Sequence, residues 1–372
     1  MYSKELSSIK KSNRFRTREL FPEEIIDLAS NDYLGLSTNK QIFQNAYETV
    51  LKENYHAPKA SMLVNGYNNI HKMFEDKLCE VNKFEAGITV GSGFLANISL
   101  IEALCRKNDT LFIDEDYHAS GILATKLLKP DQVVVFKHND VIDLKNKISS
   151  NTRTGRSIIA IEGVYSMGGD LAPIEIFQIA DEKKSILIVD EAHSFGVIGD
   201  NLLGIFDYYK IKPTQYHVKM GTLGKAYGSY GAYILASKQI IDFLINRAKP
   251  IIYSTAPSLF DTALANESLD YIIENKDLLK EKIKNNLTII KNILGLNSQS
   301  LIIPILIGDN KKVKKIQENL KQNGFLVGAI RQPTVKEAII RLIAKIDINE
   351  DDLTKVCNLL KDSNVNKWFN KR

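Results

Sequence analysis

The chain is 372 residues long, 44% hydrophobic and 25% charged, the balance of a soluble globular protein large enough for two domains. Its net charge of +5, from 49 basic and 44 acidic residues, is not gathered into a basic tract. That argues against a nucleic-acid partner and suits an anionic small substrate. The three cysteines, Cys79, Cys105 and Cys357, form no CxxC, which argues against a disulfide framework or a structural zinc site and fits a reducing compartment. The opening MYSKELSSIKKSNRFR lacks the apolar centre of a signal peptide, and no apolar run approaches the roughly 20 residues of a membrane span. A cytoplasmic protein with no membrane partner is expected.

Residues 1–36 read as an arm ahead of a large domain, 37–245. Seven strand candidates follow in order: AGITVGS (86–92), TLFIDE (110–115), VVVFKH (133–138), SIIAIEG (157–163), ILIVDEA (186–192), YHVKMGT (216–222) and GAYILAS (231–237). Segments of helical periodicity, such as Ala96 to Arg106 and Ile174 to Lys184, lie between them. This alternation predicts an α/β fold whose mostly parallel seven-stranded sheet is covered by helices on both faces. From about residue 240 the pattern changes to Lys/Asn-rich amphipathic helices, then a shorter strand (Leu301 to Ile307) and a final helix (Asp351 to Lys361). Residues 246–372 are therefore expected to form a smaller C-terminal α+β domain.

Within ILIVDEAHSFGVIG (186–199) stands Asp190-Glu191-Ala192-His193, the letters of a nucleic-acid-remodelling ATPase. The apolar run Ile186 to Val189 places Asp190 at the C-terminal end of a buried strand, the edge where open α/β sheets bind ligands. A nucleotide motor also needs GxxxxGK[ST] upstream. The nearest stretch, Gly221-Thr222-Leu223-Gly224-Lys225-Ala226, has the wrong spacing, lacks the metal-binding hydroxyl and lies downstream. The motor reading fails.

What remains is a different chemistry. A lysine amine forms Schiff bases with carbonyl compounds such as pyridoxal 5'-phosphate. That cofactor needs a carboxylate at its ring nitrogen, a flat group over the ring and an anion site for its phosphate. Lys225 and Asp190 supply the first two groups, and His118, in DEDYHASG, can stack on the ring. Gly91-Ser92-Gly93-Phe94 ends one strand and opens a helix whose N–H groups can bind phosphate, and Thr222 adds a hydroxyl. Taken singly, each residue has an ordinary reading as a loop or turn residue. Together they place four strand ends around one ligand.

The blocks SNDYLGLS (30–37), GSGFLANISLIEAL (91–104), DEDYHASG (114–121), EGVYSMGGDLAPI (162–174), VDEAHSFGVIG (189–199), GTLGKAYGSYGA (221–232) and IIYSTAP (251–257) occur in this order. In combination they resemble the α-oxoamine synthases, fold-type-I pyridoxal-phosphate enzymes that condense an amino acid with an acyl thioester and lose carbon dioxide. The resemblance covers nearly the whole chain. FKHNDV (136–141), PILIGDN (304–310) and GAIRQPTV (328–335) point within that family to L-alanine and pimeloyl-CoA, or a pimeloyl carrier protein, as substrates.

The resemblance implies a role for each matching residue. Lys225 anchors the cofactor and then acts as base, Asp190 pairs with the ring nitrogen, His193 bonds the ring hydroxyl and His118 stacks on the ring. Gly93, Phe94 and Thr222 hold the phosphate, Ser166 binds the cofactor and Glu162 is a neighbouring acid. Arg341 clamps the amino-acid carboxylate through its planar fork, assisted by Asn31, while Arg16 and Thr334 contact substrate. Tyr253, Ser254 and Thr255 match residues that reach the partner subunit's phosphate, so a homodimer is implied.

The pattern departs from the family at two places. Ala57-Pro58-Lys59-Ala60-Ser61-Met62 replaces a glycine-rich stretch bordering the acyl pocket, and LIAKIDI follows Arg341 without the usual small-residue-then-HT ending. Lys59 reads as a solvated loop lysine, the alternative being a charge for a distal carboxylate of the acyl chain. Three other readings stay open: an α-oxoamine synthase using glycine or serine, one with a different acyl chain, and a non-catalytic scaffold subunit. A scaffold is expected to lose the lysine that this chain keeps.

Overall fold

A computed structural model describes residues 1–12 and 14–363; of the expected C-terminal region, 364–372 lie outside this description. In chain order the strands are β1 (Ile26–Leu28), β2 (Ala86–Val90), β3 (Thr110–Asp114), β4 (Val133–Phe136), β5 (Ser157–Glu162), β6 (Ile186–Asp190), β7 (His217–Thr222), β8 (Ala232–Ala236), β9 (Ile302–Gly308), β10 (Phe325–Ile330) and β11 (Ala338–Ile343). The chain packs as two compact units. One is Asn31–Lys282; the other joins Met1–Ser30 to Ile283–Arg372.

The larger unit is built on a seven-stranded sheet of order β2-β8-β7-β6-β5-β3-β4, in which only β8 runs against the others. The mostly parallel α/β sheet expected from the sequence is present, each strand within a residue or two of its expected position at the start. Its central strands are unbroken apolar runs because both faces are covered: every residue of β3, β6 and β8 is buried. Helix Gly93–Leu104 packs Ala96, Leu100 and Ala103 into the same core as Leu111, Ile158, Ile188 and Met220. Because the strands are parallel, Val90, Asp114, Glu162, Asp190 and Thr222 all end at one sheet edge.

The smaller unit has a four-stranded sheet of order β1-β10-β11-β9, with β1 parallel to β10 and the other pairs antiparallel. Helix Glu350–Asp362 buries Leu353, Val356, Cys357 and Leu360, one stripe at helical spacing. Asn349 caps its first turn, and Glu350, Asp351 and Asp352 there complement the helix dipole. Three residues of the segment read as an arm thus serve as an edge strand.

Candidate active site

The parallel register sets Glu162 beside Asp190 at the ends of β5 and β6. Asp190 is buried; its Oδ1 accepts the Ala192 N–H (3.0 Å) and its Oδ2 accepts the Asn97 side-chain amide (2.9 Å). Asn97 also donates to Ser120 Oγ (2.9 Å) and accepts from the Tyr117 hydroxyl (2.7 Å), so its amide is fully used. Ser120 Oγ lies 2.7 Å from His118 Nδ1, which also accepts the Ser120 N–H (3.3 Å). Burial holds the His118 pKa below its usual value; Asp190 opposes this and Lys225 adds to it. Burial therefore favours the neutral ring, the form suited to the stacking role expected of it.

Lys225 follows β7 in a turn that two glycines make possible. Gly196 has φ +76°, and a Cβ there would meet Ala226 Cβ at 2.5 Å. Gly228 has φ +61°, and a Cβ there would lie 2.6 Å from the Ser37 backbone nitrogen. The close approach at Gly228 brings SNDYLGLS against the lysine turn. Lys225 Nζ stands 2.8 Å from His193 Nε2, and His193 Nδ1 stands 2.5 Å from the Tyr33 hydroxyl. With Lys225 as an ammonium, Nε2 must accept and Nδ1 carries the hydrogen, pointing it to Tyr33, whose own hydroxyl faces Asn31 Oδ1 at 3.4 Å.

The helix beginning at Gly93, whose N-terminus the sequence offers as an anion site, starts beside the end of β7. A Cβ on Gly93 would lie 3.6 Å from Thr222 Cβ, so the helix N-terminus abuts the end of β7. Ser92 caps this helix by accepting the Leu95 N–H (3.3 Å), and Phe94 is half-exposed beside it. Thr222 Oγ1 donates to the Gly231 carbonyl (3.1 Å). Glu162 is buried, and its Oε2 accepts the Ser166 N–H (3.0 Å) while its Oε1 has no hydrogen-bond partner among the described residues. Burial, reinforced by the charge of Asp190 and opposed by Lys225, raises the Glu162 pKa well above the carboxylate range. Burial therefore favours the protonated form of Glu162.

Lys225, Asp190, His193, His118, Gly93, Phe94, Thr222, Glu162, Ser166 and Asn31 thus belong to one unit, most of them linked by the contacts just described. Ser254 and Thr255 also belong to it, following helix Lys249–Ile252, but neither hydrogen-bonds that cluster among the described residues. Tyr253 beside them is 80% exposed. Arg16, Thr334 and Arg341 lie in the smaller unit. There Arg341 is buried in β11 between Gly328 of β10 and Pro304 of β9, Thr334 donates its N–H to the Arg331 carbonyl (3.0 Å), and Arg16 is exposed.

Three participants escaped the sequence reading: Asn97, Ser120 and Tyr33. Asn97 carried a usable signal, the single amide of a largely apolar helix, one turn from its start. The donor set fits pyridoxal phosphate: a buried carboxylate held from behind, a neutral imidazole, an amine, a helix N-terminus, and a buried carboxyl oxygen at Glu162 with no hydrogen-bond partner among the described residues.

Sheet topology and this donor set define the class of fold-type-I pyridoxal-phosphate transferases. The model of the family "Aminotransferase class I and II" matches residues 23–360. The 8-amino-7-oxononanoate synthase of Helicobacter pylori J99 is 46% identical over 97% of each chain, and that of strain 26695 is 46% identical over 99% of each. Two solved structures share the fold: a serine palmitoyltransferase from Sphingomonas wittichii (TM-score 0.85, 23% identity, 91% of this chain and 87% of that one) and an 8-amino-7-oxononanoate synthase from Francisella tularensis (TM-score 0.78, 24% identity, 93% and 100%). The chain belongs to the aminotransferase class I and II family, on its 8-amino-7-oxononanoate synthase branch.

Proposed function

We propose that this protein condenses L-alanine with a pimeloyl thioester to give 8-amino-7-oxononanoate, carbon dioxide and free thiol, in biotin biosynthesis. The observation that carries the reading is end-to-end identity of 46% with enzymes of that name. The intact cluster around Lys225 supports it. A cytoplasmic homodimer is part of the proposal, and the exposed Tyr253 fits a residue that meets a second copy.

Pyridoxal phosphate, when bound, supplies an electron sink for the alanine α-carbon. The chain's residues then divide the work. Lys225 Nζ anchors the cofactor and removes the α-proton, and His193 Nε2 beside it orients that amine. Asp190 keeps a proton on the pyridine nitrogen, and the Asn97 bond keeps the carboxylate aimed. His118 covers the ring, and the helix opening at Gly93 and Phe94, with Thr222, takes the phosphate. A bond forms between the alanine α-carbon and the thioester carbonyl carbon as the carbon–sulfur bond breaks; the thiolate leaves and takes up a proton, and the alanine carboxylate departs as carbon dioxide, leaving its electron pair on the α-carbon, which takes up a proton in its place. Arg341 binds that carboxylate until it is lost, with Asn31, Arg16 and Thr334 as further substrate contacts.

One feature favours a second reading, an α-oxoamine synthase of different acyl preference. The Ala57–Met62 stretch is anchored: Ala60 accepts the Ala256 N–H (3.0 Å), and Lys59, at φ +65°, holds its ammonium 3.6 Å over the Tyr55 ring. Thiol release by the pure protein decides between them. Release from L-alanine with pimeloyl-CoA, and not from glycine with acetyl-CoA, is expected; the reverse preference would move the enzyme elsewhere in the family.

Arg341→Ala separates substrate binding from cofactor binding. Loss of a charge-assisted carboxylate clamp is expected to raise the KM for alanine about 10- to 100-fold while cofactor affinity changes little. Equal losses in both would make Arg341 a structural residue of β11.

A further inference from the structure

The segment Phe136-Lys137-His138-Asn139-Asp140-Val141 takes no part in the chemistry above, yet each of its polar turns has a defined place. Phe136 ends β4 fully buried. Asp140 caps helix Val141–Ser149, its Oδ1 accepting the N–H groups of Ile142 (3.0 Å) and Asp143 (2.8 Å). Between them, His138 Nδ1 lies 3.0 Å from Asp114 Oδ1 and its Nε2 lies 2.7 Å from Asp170 Oδ2. Asn139 has φ +53°, the left-handed region that asparagine tolerates better than most residues. That conformation lets its N–H reach Asp114 Oδ2 (2.9 Å) and its side-chain amide reach Asp170 Oδ2 (2.7 Å) and the Leu171 carbonyl (3.1 Å). Two consecutive residues grip the same two carboxylates.

The groups facing the His138 ring are mostly acidic. Asp114 is fully buried at the end of β3, Asp116 stands 4.0 Å from Nδ1, and Glu115 Oε1 accepts the His138 backbone N–H at 3.4 Å. From the loop after β5 come Asp170 and Tyr165, whose ring meets the imidazole edge-on with centroids 4.3 Å apart. Burial opposes a charge on the ring, but the bonds and charges of Asp114 and Asp170 prevail and push its pKa up to about 10. Both ring nitrogens therefore carry hydrogens at neutral pH, and each points one to a carboxylate.

The far end of this grip is the active-site edge. Asp170 closes the loop that starts at Glu162: Tyr165 donates its N–H to the Asp170 carbonyl (2.9 Å), Gly169 to the Tyr165 carbonyl (2.8 Å), and Val164 bridges Leu171. Ser166 lies inside that loop and donates its N–H to Glu162 Oε2. We propose that His138, together with Asn139, is a positioning residue: by tying Asp114 at the end of β3 to Asp170 in the loop after β5, it fixes the turn that presents Ser166 and Glu162 to the cofactor. The inference rests on the reading that this sheet edge holds pyridoxal phosphate, and is independent of which amino acid or acyl chain reacts there.

The test is titration of the apo full-length protein with pyridoxal phosphate, following visible absorbance and circular dichroism, well below the thermal midpoint. His138→Gln and Asp170→Asn are each expected to raise the cofactor Kd at least about tenfold and to weaken the visible dichroism at saturation. The double variant should be within about twofold of the worse single one, because both changes open one clamp. Asp109→Asn, which breaks the Arg156 pair at the other end of β3, is the control that lowers stability without touching cofactor binding. If His138→Gln and Asp170→Asn behave like this control, with lower midpoints but cofactor Kd and dichroism unchanged, the clamp is structural and the proposal falls; additive losses in the double variant overturn it as well. Should His138→Gln fail to fold, Asp170→Asn decides by the same criteria, its side chain being 44% exposed. A wild-type protein that binds the cofactor yet releases no thiol from alanine and pimeloyl-CoA refutes the substrate reading alone.

Discussion

Lys225→Ala is expected to leave a folded protein whose turnover is lost. The loss of a positioned base alone costs roughly 10²- to 10⁴-fold, and the same substitution removes the amine proposed to anchor the cofactor. Stability should change little. Lys225 is only half-buried and its Nζ meets His193 at the site, whereas its neighbours Leu223, Ala226 and Tyr227 are the ones buried in the core. The turn itself is held by backbone bonds, Gly228 N–H to the Lys225 carbonyl and Ser229 N–H to the Leu223 carbonyl (both 2.9 Å), which the substitution keeps. The measurement is thiol release with the thermal midpoint taken in parallel. Turnover within tenfold of the wild type would remove Lys225 from the mechanism; a collapse in both turnover and midpoint would mean that the lysine supports the fold.

Much of the larger unit could be read in advance because buried parallel strands leave a plain mark. Ile158 to Ile161 and Ile186 to Val189 are unbroken apolar runs, and each stops at a carboxylate, Glu162 and Asp190, where the chain leaves the core. The polar groups that finish the site left weaker marks. Asn97 and Ser120 contact Asp190 and His118 only through the packing of two helices, and no sequence period encodes that contact. Tyr33 meets His193 across 160 positions, brought there by the close backbone approach at Gly228. Likewise β1, only three residues long, is a strand because Phe325 to Val327 lies beside it, a pairing of distant segments that local propensity does not reveal.

The pair Glu191 and Lys219 carries the largest expected effect on stability, and it explains the rest of the Asp190-to-His193 motif. Lys219 sits mid-strand in β7 with no exposure, its Nζ 2.7 Å from Asn82 Oδ1, bonded to the Leu203 carbonyl and 3.6 Å from Glu191 Oε1. Burial lowers its pKa, and the charges of Glu191 and Asp207 oppose that shift. Glu191 is equally buried, yet it is tied to more groups: it accepts from the Ile205 N–H (2.8 Å), the Phe206 N–H (3.4 Å) and the Ser194 hydroxyl. Replacing Glu191 with Leu leaves those donors without their acceptor and the buried Lys219 amine without its carboxylate, a loss on the order of 3–5 kcal/mol. At about 2–4 °C per kcal/mol, the midpoint should fall roughly 6–20 °C. Lys219→Met should cost less, since the carboxylate keeps its backbone donors, and the double substitution should cost less than the sum of the two. Glu191→Gln, which can still accept from Ile205, should lie between the wild type and Glu191→Leu. If Glu191→Leu melts within about 2 °C of the wild type, the pair does not hold this loop, and the placement of Asp190 and His193 on either side of Glu191 needs another cause.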